Sequence, residues 1–556
     1  MTKKISMLAA LAMLACQTFT ANADDWTRFR GPSGNGVATD SASIPTAWSP
    51  SANIAWKTEL PGPGASSPII VGGKAFVTCY SGYGLKQEDP GEIENLVRHL
   101  VCIDLETGKK AWQKDVKVSL PEDPYTGIGV TAHGYASHTP VSDGENIYAF
   151  FGKSGVHAYS MDGKELWNAE VGKESDPTKW GSSSSPIVYK NIVIVTASAE
   201  SQSVIGFDKE SGKELWRQEA EGLDGMWGTP TLVKVDMERT DLVMCVAKEM
   251  WGMDPENGKL RWHANATEAQ GAYSSVVLDG KRVYAVTGRG GGSIAIDAGG
   301  SGDVSESNTA WTGRETSGFA SPIFHKGRLY VVNRGILSSI DAESGKRIDQ
   351  LRLKGAKQSG SRSGSLDYPS PVIAGDKMFY MKGNGQMFVF SLGDKLEQVS
   401  INQVTSEQEI FWGSPAISDG KMVIRSAKYL YCVTDKGDEV DPEDTKIVEA
   451  ETPPAGGARG GGGGGRGGRF DPAAMFDSLD ADKDGKVTET ELEGNRMAER
   501  LMTLDKDSDK AVSKEEFTSG ISSLFRRGGG GGGGGRPERP KDTRPDRPQR
   551  PESAGK

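Results

Sequence analysis

Cysteine is scarce in this chain, with five residues in 556, and their spacing matches no zinc-binding pattern. Long apolar runs are missing too: after the first 15 residues no stretch is apolar enough to cross a membrane as a helix. Nor is there an excess of positive charge. The net charge of −10 argues against general affinity for nucleic acid. What remains is a long, mildly acidic chain with ample length for a large folded core.

Repetition fills that length. One unit recurs eight times: an aromatic residue, small residues, Ser or Thr then Pro, three short apolar segments, and an Asp-x-x-x-Gly-Lys turn ahead of a Trp. Pro68, Pro140, Pro186, Pro230, Pro322, Pro371 and Pro415 mark the units, and Val276 holds the fifth place. After the first gap the marks lie 44 to 49 residues apart, the period of a four-stranded propeller blade. The apolar segments are short, rich in Val and Ile and bounded by Gly, Asp or Asn, which predicts strands. The expected fold class is therefore mainly β, an eight-bladed propeller.

Trp112, Trp167, Trp216 and Trp262 each stand four residues after a turn Gly, at the start of an outermost strand, where they are read as packing between blades. Blades 6 and 7 carry Asp349 and Glu397 at that place, so their outer strands are less marked. The eighth unit lacks an outer strand altogether. NIAWKTEL at residues 53–60 offers one with Trp56, so the N-terminal strand is expected to close the last blade and remove an exposed sheet edge.

The SSPxV strand and the Asp-x-x-x-Gly-Lys-x-x-Trp ending resemble the PQQ-like repeat, found in quinoprotein dehydrogenases and in BamB-type outer-membrane assembly lipoproteins. Residues 26–37, WTRFRGPSGNGV, are similar to the lead-in of a bacterial group of secreted PQQ-like propeller proteins. The resemblance covers roughly residues 26–437 and implies the fold; function does not follow from fold alone.

The N-terminus reads as an export signal. Lys3 and Lys4 precede an apolar stretch over residues 5–15, and Ala21-Asn22-Ala23 stands ahead of Asp24, an A-x-A cleavage pattern. Residues 1–23 are then removed, and the mature protein is expected in the periplasm or outside the cell. A rival reading anchors the chain by lipidation at Cys16. Of the cysteines left after export, Cys79 and Cys102 fall on strands expected to be neighbours, so a disulfide and buried free thiols both stay open.

Residues 24–437 are assigned to the propeller. Composition then breaks: residues 438–469 turn acidic and then into Gly and Arg, a flexible tether, and residues 527–556 form a second Gly run and a disordered tail rich in Pro and Arg. Between them, residues 470–526 hold the one chemically specific motif. Asp480, Asp482, Asp484, Gly485, Lys486, Thr488 and Glu491 stand at positions 1, 3, 5, 6, 7, 9 and 12 of a loop and so resemble an EF-hand. Three Asp carboxylates, the Lys486 carbonyl, a water near Thr488 and a bidentate Glu491 give a hard cation its oxygens. A second loop offers Asp505, Asp507, Asp509, the Ala511 carbonyl, Ser513 and Glu516. Lys510 there replaces the expected Gly, and holding a side chain in left-handed geometry costs about 1–2 kcal/mol, which makes this site the weaker. Val487 and Val512 can pair across the loops, and residues 492–504 are left for one shared helix about 20 Å long. Calcium is the expected cofactor.

In a four-stranded blade the turn between the second and third strands lies on the same face as the loop entering the first. Those turns carry Lys153, Lys248, Arg289, Arg334, Lys382 and Lys428, and the entering loops carry Tyr135, Trp180, Trp227, Tyr273, Phe319, Tyr368 and Trp412. Insertions at residues 81–98 and 115–135 belong to the same face, and long loops on a rigid scaffold are where binding usually resides. With Trp227 and Trp412 beside the six cations, this face is expected to bind an anionic or planar ligand: a carboxylated sugar, an anionic polymer or the acidic segment of a protein partner.

Three functions stay open. The preferred one is an exported, calcium-binding protein whose propeller binds or scaffolds an anionic ligand or a protein partner. The resemblance also implies a dehydrogenase dependent on pyrroloquinoline quinone (PQQ), an anionic quinone that a basic, aromatic face would suit. Enzymes of that kind commonly set an adjacent Cys-Cys disulfide over the quinone, and no two cysteines here are adjacent. PQQ is therefore not the favoured cofactor and no catalytic residue is assigned, although His133 and His138 could act as acid and base. The third function is BamB-like assembly of outer-membrane proteins, which would go with Cys16 lipidation. No nucleic-acid partner is expected.

Overall fold

The computed structural model describes residues 25–39, 43–126, 130–176, 179–269, 271–288, 291–357, 367–447, 476, 479–480, 482, 484–488, 490–492, 501–507, 509–524 and 547–548. The leader with Cys16, most of the linker, Arg289 and residues 493–500 of the expected shared helix lie outside them. The chain divides into two compact units, residues 1–451 with 544–556, and residues 452–543.

In the first unit the three apolar segments and the outer segment of each repeat become four antiparallel strands. Blade 3 runs Ile187–Tyr189, Ile192–Ala197, Ser203–Asp208 and Glu214–Glu219, hydrogen-bonded in that order. Its second strand is buried at every residue, because the sheet is covered on both faces by its neighbours. Such strands read as continuous Val and Ile runs, whereas the outermost strand keeps one buried Trp among exposed and half-buried residues. Seven further sheets repeat this plan, and blade 4 adds a fifth, parallel strand, Gly302–Asp303. In the last sheet Ile54–Glu59 lies antiparallel to Tyr429–Thr434, with Trp56 opposite Cys432 and Glu59 opposite Tyr429.

The outer-strand tryptophans latch each blade to the next. Trp56 covers Gly108, which holds φ +69° and where an added Cβ would lie 2.5 Å from the indole Cγ; its Nε1–H donates to the Leu105 carbonyl at 2.8 Å. Trp112, Trp167, Trp216 and Trp311 cover Gly163, Gly212, Gly258 and Gly345 in the same way. Trp262 departs from this pattern, donating instead to Asp241 Oδ2 at 2.7 Å within its own blade. In blade 6, Arg347–Arg352 forms the outer strand without a Trp, and Asp349 Oδ2 accepts the Leu396 N–H of blade 7 at 2.9 Å.

Cys79, Cys102, Cys245 and Cys432 are buried free thiols. Residues 438–447, read from composition as part of the tether, run along the propeller: Asp438 accepts the Asn53 N–H at 2.9 Å, the Thr445 carbonyl accepts the Ile401 N–H, and Ile447 packs on the core of blades 6 and 7. No helix among the described residues is long and apolar enough to cross a membrane.

In the second unit, Lys486–Thr488 pairs antiparallel with Ala511–Ser513, placing Val487 opposite Val512. The helix Lys514–Leu524 follows. Phe476, Val487, Leu492, Leu501, Leu504, Val512, Phe517 and Ile521 form its core.

Candidate functional site

The Ser or Thr ahead of each unit mark sits where the chain enters the innermost strand, and a following Pro holds such a residue extended. The backbone N–H of each donates to the side-chain oxygen of its counterpart in the next blade. The bonds run from Ser67 to Thr139, Ser185, Thr229, Ser275, Ser321, Ser370 and Ser414, and back to Ser67, at 2.8 to 3.0 Å. Eight hydroxyl groups thus close a ring around the propeller axis. Each oxygen accepts a bond, and no ring hydroxyl donates to a protein acceptor among the described residues.

Below the ring, Phe29 forms the floor of an axial cavity of about 140 Å³. The segment carrying it crosses the channel, paired through Trp26 with Ile70 of blade 1 and through Val37 with Ile373 of blade 7. Asn35 exchanges two hydrogen bonds with the backbone of Leu278, and Arg30 donates to the Pro322 carbonyl. Arg30 is fully buried, and burial, with Arg28 nearby, pushes it down to about 9.

Above the ring, half-buried aromatic side chains form a rim. Trp180 and Trp227 lie 5.8 Å apart by ring centroids; Trp227 and Tyr273 stack at 5.0 Å and 5°; Phe319 follows at 5.4 Å and Tyr368 at 4.7 Å. The Trp227 Nε1–H donates to the Gly181 carbonyl at 2.9 Å. That of Trp412, which also lines the cavity, is buried without a protein acceptor.

The structure brings Trp227 and Trp412 to the axis and places the described cations elsewhere; none lines the axial cavity. Lys153 is buried beside Asp123, its Nζ 2.9 Å from Oδ2, and donates to Ser175. Lys382 Nζ donates to the Lys357 carbonyl at 3.2 Å. Lys248 and Arg334 hold φ of +63° and +49° in their turns, and Arg334 and Lys428 point into solvent. Arg289 lies outside the described residues. Tyr135 leaves the rim to pack with Tyr80, Tyr83 and Tyr125.

A smaller polar cavity of about 40 Å³ shares His133, Ser137 and Trp180 with the axial one. In it Ser182 donates to Glu200 Oε1 at 2.5 Å, and His138 Nε2 lies 3.0 Å from the same hydroxyl. Burial pushes the Glu200 carboxyl up to about 7 and His138 down to about 3. His138 is therefore neutral at neutral pH.

The two acidic loops of the second unit are built alike. Asp480, Asp482 and Glu491 each offer an oxygen within 4.8 Å of the others, as do Asp505, Asp507 and Asp509. Asp484 Oδ1 accepts the Lys486 N–H, and Glu491 Oε2 accepts from the Thr488 backbone and hydroxyl. In the second loop Glu516 accepts from Lys506, Ser513 and the Ser513 hydroxyl, which hold it down at about 2. Ala511 N–H donates to Asp509. Gly485 holds φ +86° and Lys510 φ +68°. Lys486 Nζ crosses between the loops to Asp509 Oδ2 at 2.6 Å.

The hydroxyl ring and Phe29 stand outside the site residues expected from the sequence. Its signal was in view: a Ser or Thr directly precedes all eight marks, Val276 included.

No curated protein matches the chain. Among solved structures it is similar to BamB from Moraxella catarrhalis, at 12% identity over 70% of this chain and 99% of that one, with a TM-score of 0.47. A europium-containing methanol dehydrogenase gives 12%, 72% and 89%, with 0.49. Quinohemoprotein alcohol dehydrogenase ADHIIG from Pseudomonas putida HK5 gives 12%, 82% and 86%, with 0.48. A family model described as outer membrane protein assembly factor BamB matches residues 97–348 and 302–446. Because these two stretches take in well over half of the sequence, the chain belongs to the family of the outer membrane protein assembly factor BamB.

Proposed function

We propose that this is an exported calcium-binding protein whose propeller is a recognition module, with the axial cavity as its site. The observation that carries the reading is the pairing of eight converging hydroxyls with a stacked aromatic rim. Hydroxyl hydrogens without protein acceptors suit an oxygen-rich ligand, and half-buried Trp and Tyr faces suit a flat or ring-shaped one. No Lys, Arg, Asp or Glu among the described residues lines this cavity. A neutral sugar ring therefore suits it better than a polyanion. The carboxylated ligand expected from the turn cations would have to engage the outer face instead.

Among the described residues the lining offers the carboxylates of PQQ no cation, so PQQ is not the favoured ligand. In the second unit, the acid clusters fit calcium: each has three closely set carboxylates, and the Lys486 and Ala511 carbonyls stand at the backbone-ligand position.

Quenching of tryptophan fluorescence tests the propeller reading, with glucose, galactose, glucuronate and PQQ as probes. Saturable quenching by a sugar, lost in Trp412→Ala, is the expected result; no quenching by any probe would overturn it. Family membership favours a second reading, a part in outer-membrane protein assembly. Co-isolation of a β-barrel assembly complex with the tagged chain from membranes would support that role.

A further inference from the structure

The Pro- and Arg-rich tail contains five Arg-Pro dipeptides, beginning at Arg536, Arg539, Arg544, Arg547 and Arg550. One of them is docked on the propeller. Arg547 Nε and Nη2 donate to Glu249 Oε2 and Oε1 at 2.9 and 2.6 Å, a two-pronged guanidinium–carboxylate pair, and Pro548 is buried.

Glu249 opens the third strand of blade 4. Its side chain is 1% exposed and also accepts the Trp251 Nε1–H at 2.9 Å. Trp251 is itself buried, directly across the strand pair from His263. Asp303, on the extra parallel strand beside His263, adds negative charge that acts on Arg547. A buried carboxylate left without a cation is costly, and among the described residues Arg547 is the one Lys or Arg that forms an ion pair with Glu249.

The tail is suited to supply that cation repeatedly. Arg544, Arg547 and Arg550 are spaced by three in the sequence, and so are Arg536 and Arg539. A slip of three residues replaces one Arg-Pro with another in the same pose.

We propose that Glu249, with Trp251 beside it, is a receptor for Arg-Pro dipeptides, filled in cis by this chain's own tail in interchangeable registers. Fluorescence anisotropy of a labelled peptide of residues 543–552 tests this on the full chain. The unaltered protein binds the peptide weakly, because its own tail competes. Replacing all five tail arginines by Ala leaves the propeller untouched and is expected to tighten binding by about tenfold or more. Adding Glu249→Gln to that variant removes the gain, and a peptide with Lys for Arg binds more weakly to the same variant.

Equal binding by the unaltered and five-Ala chains overturns the proposal, as does indifference to Glu249→Gln. Concentration-dependent self-association of the full chain, abolished by the five-Ala change, would assign the tail to a second copy and overturn docking in cis. Arg547→Ala alone is expected to change peptide binding little, since a neighbouring register takes its place; a full tenfold gain from that one change would overturn interchangeability.

Discussion

The backbone N–H of Ser414 meets Ser67 Oγ at 2.9 Å, joining blade 8 to blade 1 on the axis. The same two blades are also joined at the periphery, where Trp56 on the closing strand covers Gly108 of blade 1. Closure is thus made twice, at the narrow and wide ends of the wedge. Both joints repeat contacts found between other blades, so the seam resembles the other blade interfaces.

Removing one ring hydroxyl leaves a donor buried without an acceptor. Ser414→Ala strips the partner from the Ser370 N–H, and a loss of about 1–3 kcal/mol is expected. Ser414→Thr should be close to neutral, because Thr139 and Thr229 already hold equivalent places. Chemical unfolding midpoints of the two variants check both expectations.

Gly108→Ala must place a side chain at φ +69° and against the Trp56 indole. The expected cost is about 2 kcal/mol or more. In the double variant with Trp56→Ala the clash disappears while the backbone strain stays, so the two losses should be less than additive. Thermal unfolding of the singles and the double measures the coupling.

The Glu200 carboxyl keeps its proton to about pH 7 in the fold, against an ordinary value of 4.5. Burial is the main cause, so the folded state binds this proton more tightly than the unfolded chain. Stability is then expected to fall as pH rises from about 4.5 to about 7 and to stay lower above it. Glu200→Gln should flatten that fall, with a gain on the order of 3 kcal/mol at pH 8 and little change at pH 4. Denaturation curves at the two pH values check the sign.

Lys510 holds φ +68° in the second acidic loop. Relief of that strain by Lys510→Gly should tighten calcium binding there by roughly tenfold. Glu491→Gln should weaken the first loop by a similar factor or more, since a charged bidentate ligand is lost. Calorimetric titration of the full chain with calcium resolves both effects.

The number of blades and their order were legible because strands and turns recur at a fixed period, and Trp56 showed where the missing outer strand lay. Periodicity puts a turn on a face, however, and says nothing of its distance from the axis. Lys153 therefore looked like a member of a basic face, while Asp123 of the neighbouring insertion holds it. The Ser and Thr before each mark were visible but read as punctuation of strand entry. Their hydroxyls gain meaning only when eight distant segments converge. The docking of Arg547 on Glu249 spans 298 residues, and no local pattern announces it.

The hydroxyl ring also bears on how a ligand would turn once seated. A molecule centred on the axis meets a similar oxygen at every eighth of a revolution, so eight orientations are nearly equal in energy at that level. Keeping all eight would spare up to about 1.2 kcal/mol of orientational entropy on binding. The rim does not share that symmetry, since Tyr135 is withdrawn from it while Trp180 through Tyr368 form a continuous arc. Depth of seating would therefore be set by the ring, and choice of direction by the arc.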